Sequence, residues 1–366
     1  MIAIVLGTRP EIIKLSPVIR ECETQDIPYY IIHTGQHYSY EMDRVFFDEL
    51  ELPGAQYNLD IGSGSQAEQT GKILLGVERV LEKDPANIVL VQGDTNTVMA
   101  GALAAAKLHI PVGHVEAGLR SFDRSMPEEI NRVVTDHISD FLFAPTNAAR
   151  EYLLAEGIPD ETIHMTGNTI VDAVFQNLEI AQRKADTLSG FGLNKGDYFL
   201  VTAHRAENVD DKFRLEGIFR ALRMVRREYN LPVIFPIHPR TQKMLSTFGI
   251  SYDGIQIIPP VGFFEFLQLE ANARLVLTDS GGVQEETCIL GVPCVTLREN
   301  TERPETLLVG SNILAGTDAD RIKKAVQEML QPRAKWSNPF GDGTAGKRIV
   351  EISTILKSDD GNKRCP

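Results

Sequence analysis

The 366-residue chain has no apolar run approaching the length of a membrane span, and no basic leader or cleavage site precedes its first strand-like segment. Met1 runs straight into "IAIVLG", so we expect a cytoplasmic protein without membrane attachment. Cysteine is scarce. The four, at positions 22, 288, 294 and 365, form no close-paired metal motif and no dense disulfide framework, so reduced thiols are expected. Cys288 and Cys294 should pack as small apolar residues. Positive charge is in deficit: 37 basic residues against 50 acidic ones give a net charge of −13, which argues against broad contact with nucleic acid or an anionic membrane. Any anionic ligand must meet a local basic pocket. "VLGTRP" carries one glycine where a dinucleotide fingerprint has a spaced trio, and no Walker lysine motif occurs. His33 and His37 are four apart, but Thr34-Gly35 ends the strand between them, so helical metal-ligand spacing does not apply and no metal is expected.

What is present is an ordinary globular composition, 43% hydrophobic and 24% charged, in a chain long enough for two α/β domains. Short apolar runs alternate with amphipathic stretches: "IAIVL", "YYIIH", "NIVLVQ", "PVGHV", "FLFAP" and "TIHMTG" in the first half, then "YFLVTA", "PVIFPIH", "IQIIPP", "RLVLTD" and "PCVTL". That is the βαβ signature of parallel sheets covered on both faces. A helix from about Asn168 to Ala185 and the break "SGFGLNKGD" divide the halves. The pattern predicts two doubly wound domains, 1–168 and 169–343, the first joined by a C-terminal helix over 344–366.

Ligands of such sheets bind beyond the carboxyl ends of the strands. Those positions read Gly7-Thr8-Arg9-Pro10, Thr34-Gly35-Gln36-His37, Gly93-Asp94-Thr95, Glu116-Ala117-Gly118, His204-Arg205, His238-Pro239-Arg240 and Ser280-Gly281-Gly282. Single ionisable residues directly after apolar strands favour an active site between the domains. The stretch "TDSGGVQEET" stands out, with a strand ending before it and a helix predicted over Val283–Leu290. Free backbone amides and the positive end of the helix dipole suit a phosphate, the glycines permit close approach, and Glu285 or Glu286 could accept from ribose hydroxyls. The blander account is a tight turn that only needs glycine.

Taken together, "GTRPEIIKLSP", "TGQH", "QGDTNT", "HVEAGLRS", "PEEINR", "VTAHRAEN", "TDSGGVQEE" and "ENTERPE" resemble the non-hydrolysing UDP-N-acetylglucosamine 2-epimerases, over about residues 1 to 350. The resemblance implies a glycosyltransferase-B-type fold, two Rossmann-like domains facing across a cleft, with the last helix returning to the first domain. It implies interconversion of UDP-GlcNAc and UDP-ManNAc without nicotinamide or metal, and a homodimer. It places Arg9, Lys14, His204, Ser280, Gly281, Gly282, Glu286 and Arg303 around UDP, and Asp94, Glu116 and Glu128 beside the sugar. Gln36 and His37 match positions implied to hold a second, regulatory UDP-GlcNAc. This chain departs from the bacterial pattern in the short loop between Arg120 and Pro127, at Ala203, and in Tyr38-Ser39-Tyr40.

The chemistry asks for such residues. The hydrogen on C2 of a glucosamine is not next to a carbonyl, so a carboxylate removes it only as the C1–O bond to UDP breaks. Departing diphosphate needs cations and backbone donors, which Arg9, His204 and the Ser280–Gly282 turn can supply. Inversion needs protic groups on both ring faces, and Asp94, Glu116 and Glu128 offer three, with His204 a further proton donor. Asp94 is also expected to cap the helix of "GDTNTVMAGALAAAK", doing both jobs, and Glu128 could serve only the first turn of "MPEEINR". The Phe263, Phe264 and Phe266 cluster is expected to belong in part to the core, with Phe266 a candidate to lie against uracil. Competing readings are a retaining glycosyltransferase, a hydrolysing epimerase and a nucleotide-sugar sensor, but three carboxylates at the sugar suit proton transfer.

Overall fold

The computed structural model describes residues 1–35, 40–332 and 334–355. The chain divides into two compact units: Met1–Phe175 with the segment from Phe340 onward, and Gln176–Pro339. These divisions fall a few residues from 168/169 and 343/344, and the first lies inside the helix Thr169–Lys184. Of the helix expected over 344–366, Ala345–Ile355 is helical, and residues from 356 lie outside the described ones.

In the first unit the strands are β1 (Ile2–Leu6), β2 (Tyr29–His33), β3 (Tyr57–Asn58), β4 (Ile88–Gln92), β5 (Val112–Val115), β6 (Phe141–Ala144) and β7 (Ile163–Met165). They form one parallel sheet in the order β3-β2-β1-β4-β5-β6-β7. The second unit has β8 (Phe199–Thr202), β9 (Val233–Pro236), β10 (Gln256–Ile258), β11 (Leu275–Thr278), β12 (Cys294–Thr296) and β13 (Asn312–Leu314), parallel in the order β10-β9-β8-β11-β12-β13. The central strands are continuous apolar runs because both faces are covered by helices, and β1 and β4 are buried throughout. Side chains such as Val5, Val91 and Val77 pack on one face of the first sheet, and Phe199, Phe219, Phe235 and Leu277 on one face of the second.

Strand order reverses between β1 and β4 in the first sheet and between β8 and β11 in the second. Those switch points leave a crevice at the carboxyl ends of neighbouring strands whose crossovers run to opposite faces. The residues that follow them are Gly7–Arg9, Gly93–Thr95, Ala203–Arg205 and Asp279–Gly282. Among the described residues no helix is long and apolar enough to cross a membrane, and no group of three His, Cys, Asp or Glu could hold a metal ion.

Candidate active site

At the switch point of the first unit, the chain leaves β1 through Gly7 into the helix Arg9–Thr24. A Cβ on Gly7 would lie 1.9 Å from Thr34 Oγ1 and 2.6 Å from Thr97 Oγ1, so no other residue fits. Thr8 and Glu11 form a capping box across this turn. Glu11 is 2% exposed, and its carboxylate accepts from the amides of Gly7 (2.6 Å) and Thr8 (2.9 Å) and from the Thr95 hydroxyl (2.5 Å). Burial pushes its carboxyl up to about 7, opposed by those three bonds and assisted by the negative Asp94. The turn therefore holds a carboxyl that changes charge near neutrality, tied to the loop that carries Asp94.

Asp94 does not cap the following helix. Thr95 does, accepting from the Val98 amide at 3.4 Å, because the Asp94 carboxylate is turned instead toward the helix Pro127–Ile138. There Arg132 Nη2 donates to it at 2.5 Å, and Asn131 Nδ2 donates to its backbone carbonyl at 2.9 Å. Glu128 stands three and four residues before those two, on the same helix face, and is exposed. The structure thus places Glu128 on the element that grips Asp94. Its neighbour Glu129 is inward, 3% exposed, and accepts from the Ser121 amide and hydroxyl and from the Phe122 amide. Glu129 shapes the short loop after Arg120 and leaves Glu128 outside it.

Glu116 follows β5 with φ of +70°, a left-handed conformation that costs a non-glycine residue of the order of 1 to 3 kcal/mol. It is 7% exposed, and its carboxylate is surrounded by donors: Lys14 Nζ at 2.7 Å to both oxygens, Asn168 Nδ2 at 3.3 Å, and Gln92 Nε2. Lys14 is thus paired with Glu116, while Arg9 is exposed at the start of the same helix with its guanidinium 5.5 Å from the centre of the Phe46 ring. A further layer fixes these loops. His114 Nδ1 lies 2.6 Å from Asp136 and Nε2 2.8 Å from the Gly93 carbonyl, and Asp136 accepts from Arg120 at 2.7 Å and from the Gly118 amide at 3.2 Å. The loops bearing Asp94 and Glu116 are therefore bound to one helix. Gln36 and His37 lie outside the described residues.

In the second unit the fully buried Asp279 organises the switch point, accepting from the backbone amides of His204 (3.0 Å) and Arg205 (2.9 Å) and from Asn208 Nδ2 (3.2 Å). His204 Nδ1 is 3.3 Å from Asp279, while its ring is 44% exposed, so one edge is held and the other faces solvent. The helix that follows β11 is Gly281–Leu290, capped by Ser280, so the glycine pair forms its first turn instead of preceding it. Neither glycine has positive φ. A Cβ on Gly281 would meet only Glu302 at 3.5 Å, and one on Gly282 only Ser280 Oγ at 3.8 Å, both ordinary contacts. The fold does not need glycine there. What it provides is an unobstructed pair of first-turn amides at the positive end of a helix.

Of the two carboxylates one turn on, Glu285 is 3% exposed and bonded to Arg303 Nε at 3.2 Å, while Glu286 is half-buried. Arg303 therefore reaches this helix through Glu285. Phe266 is partly buried and packs against the core cluster that contains Val283 and Leu269. Sequence reasoning missed Glu11, Gln92, Arg132, Asn168 and Asp279. The Thr8-x-x-Glu11 spacing is a capping-box signature that could have singled out the first, while the other four meet their partners only through the fold.

Comparison with known proteins agrees with this geometry. Residues 20–354 match the sequence profile described as UDP-N-acetylglucosamine 2-epimerase. The chain is 58% identical over 363 residues to the UDP-N-acetylglucosamine 2-epimerase of Methanocaldococcus jannaschii, covering 97% of this chain and 99% of the relative. A solved structure of UDP-GlcNAc 2-epimerase from that organism superposes with a TM-score of 0.90 at 56% identity, over 97% of this chain and 99% of the other. Another, crystallised in complex with UDP-GlcNAc and UDP, gives 0.81 at 58% identity with the same coverage. Fold and sequence alike are therefore those of a known architecture, and the chain is a member of the non-hydrolysing UDP-N-acetylglucosamine 2-epimerase family.

Proposed function

We propose that this enzyme interconverts UDP-GlcNAc and UDP-ManNAc by inverting C2, through anti elimination of UDP to 2-acetamidoglucal and re-addition. The observation that carries the nucleotide half is the glycine pair of Gly281–Leu290, which the fold does not require and a phosphate does. His204, held on one edge by Asp279, and Arg9 add positive character to the departing diphosphate, Glu286 accepts from the ribose, and Phe266 lies against uracil. As C1–O breaks, its electron pair leaves on UDP, a carboxylate takes the C2 proton, and a C1–C2 double bond forms. A protic group on the other face returns a proton to C2 while a phosphate oxygen of UDP re-forms the bond to C1.

Asp94, Glu116 and Glu128 supply the proton transfers. Glu116, encircled by Lys14, Gln92 and Asn168, is fixed in position, whereas Asp94 is held by Arg132 from the helix that carries Glu128, and these two carboxylates move the protons. No step in this scheme calls for nicotinamide or metal. The reading extends to a cytoplasmic homodimer that supplies ManNAc units for surface polysaccharide or glycan synthesis. Incubation with UDP-GlcNAc alone in D2O tests it: UDP-ManNAc carrying deuterium at C2 is the expected product. Retention of the original C2 hydrogen, or release of free ManNAc, overturns the scheme.

A further inference from the structure

Glu270, in the last turn of the helix Phe263–Ala271, is fully buried, and among the described residues no donor reaches either of its carboxyl oxygens. Leu269, beside it in the chain, packs in the hydrophobic core with Val276 and Val283. The group that lies against it within hydrogen-bonding reach is the carboxyl of Glu286, on the helix Gly281–Leu290. Two carboxylates do not meet in such a place, since burial and mutual repulsion both oppose the second charge. A proton between them removes the repulsion and turns the orphaned contact into a hydrogen bond. The other titratable group facing Glu270 is the Cys294 thiol of β12, which burial pushes up to about 12 and so keeps neutral.

We infer that Glu270 is a positioning residue that stays a neutral carboxylic acid and donates its proton to Glu286, fixing that carboxylate as a pure acceptor for the ribose diol. The inference rests on Glu286 being the ribose acceptor of the proposed function. Burial first, then the charge of Glu286, drives Glu270 well above the usual carboxylate range, in keeping with the proton it must carry. With one oxygen of Glu286 engaged from inside the fold, its remaining lone pairs keep a set direction toward the nucleoside, and discrimination for a 2′-hydroxyl follows from that direction.

UDP and 2′-deoxy-UDP, titrated calorimetrically into the full-length protein, read this directly. Wild type is expected to prefer UDP by about tenfold, the usual scale for one hydrogen bond to a charged acceptor. Glu270→Gln keeps an N–H donor and cannot ionise, so the preference should stay within about twofold of wild type. Glu270→Leu has no donor and should bring the preference close to one while 2′-deoxy-UDP still binds, which also reports that the variant is folded. Infrared difference spectra of wild type minus Glu270→Gln at pH 7 should show a protonated carboxyl band that shifts on adding UDP. Loss of the preference in Glu270→Gln, its survival in Glu270→Leu, or absence of that band overturns the role given to Glu270 alone. Failure of the wild type to bind UDP overturns the nucleotide site and this inference with it.

Discussion

Glu116 and Glu11 show how single residues at the switch point carry opposite burdens. Glu116 occupies left-handed backbone and is encircled by donors, so its conformation is maintained by its surroundings against its own preference. Asp94→Asn, Glu116→Gln and Glu128→Gln should each lower turnover by about 10²- to 10⁴-fold with UDP affinity changed only a few-fold, because the proposed scheme has them act on the sugar. Wild-type rates in all three would sink the proton-transfer assignment. Glu11 makes a prediction in pH. Its carboxyl ionises at about 7 in the folded chain against 4.5 as the ordinary value. A raised acid stabilises the fold fully below its unfolded pKa and loses that contribution as pH climbs to the folded one. Stability should fall between pH 4.5 and about 7 by up to about 3 kcal/mol through this group. Glu11→Gln should flatten that part of the profile in chemical denaturation, and an unchanged slope would show that Glu11 does not titrate there.

At the scale of elements, the helix Gly281–Leu290 separates stability from function. Alanine at Gly281 or Gly282 meets no clash and suits a helix better, so each substitution should leave stability unchanged or raise it by about 0.5 to 1 kcal/mol. The same methyl groups would stand over the amides to which the proposed function assigns the phosphate, and UDP affinity should then drop about tenfold or more. Equal UDP binding in the alanine variants would reduce the turn to architecture. These elements were legible in the sequence to different degrees. Long Val- and Ile-rich runs such as "IAIVL" and "NIVLVQ" announce buried parallel strands, whereas β3 and β13, of two and three residues, are too short to carry any periodicity. The carboxyl-end residues could be read because chain order alone places them after strands. Lys14 on Glu116 and Arg132 on Asp94 could not, since those pairs are 102 and 38 residues apart and meet only once the sheet is closed. Thr95 outcompeted Asp94 for the helix cap because Arg132 draws the aspartate away, a tertiary effect that no local signal contains.

For the whole molecule the telling feature is the return of the chain to its first unit. The helix Ala345–Ile355 packs on Arg9–Thr24 so closely that a Cβ on Gly346 would lie 2.9 Å from the backbone carbon of Pro17. Asp172 accepts from the amides of Ala345 (3.2 Å) and Gly346 (3.0 Å) and so caps that helix from a distance of over 170 residues in sequence. Gly346→Ala should cost about 1 to 3 kcal/mol through overpacking, and Asp172→Ala about 1 kcal/mol through the lost cap. Denaturation midpoints equal to wild type in both would mean that the returning helix adds nothing to the first unit.

That return sets a timetable for synthesis. The 164 residues from 176 to 339 are made after the first sheet and before the helix that covers its first crossover. At about 5 to 20 residues per second, roughly ten to thirty seconds pass on the ribosome with the Pro17 surface uncovered. The second unit, continuous in sequence, is complete in the chain as that interval ends. The first unit, though begun earlier, is completed last, and until then the flank around Pro17 stays open to chaperones and to mispairing.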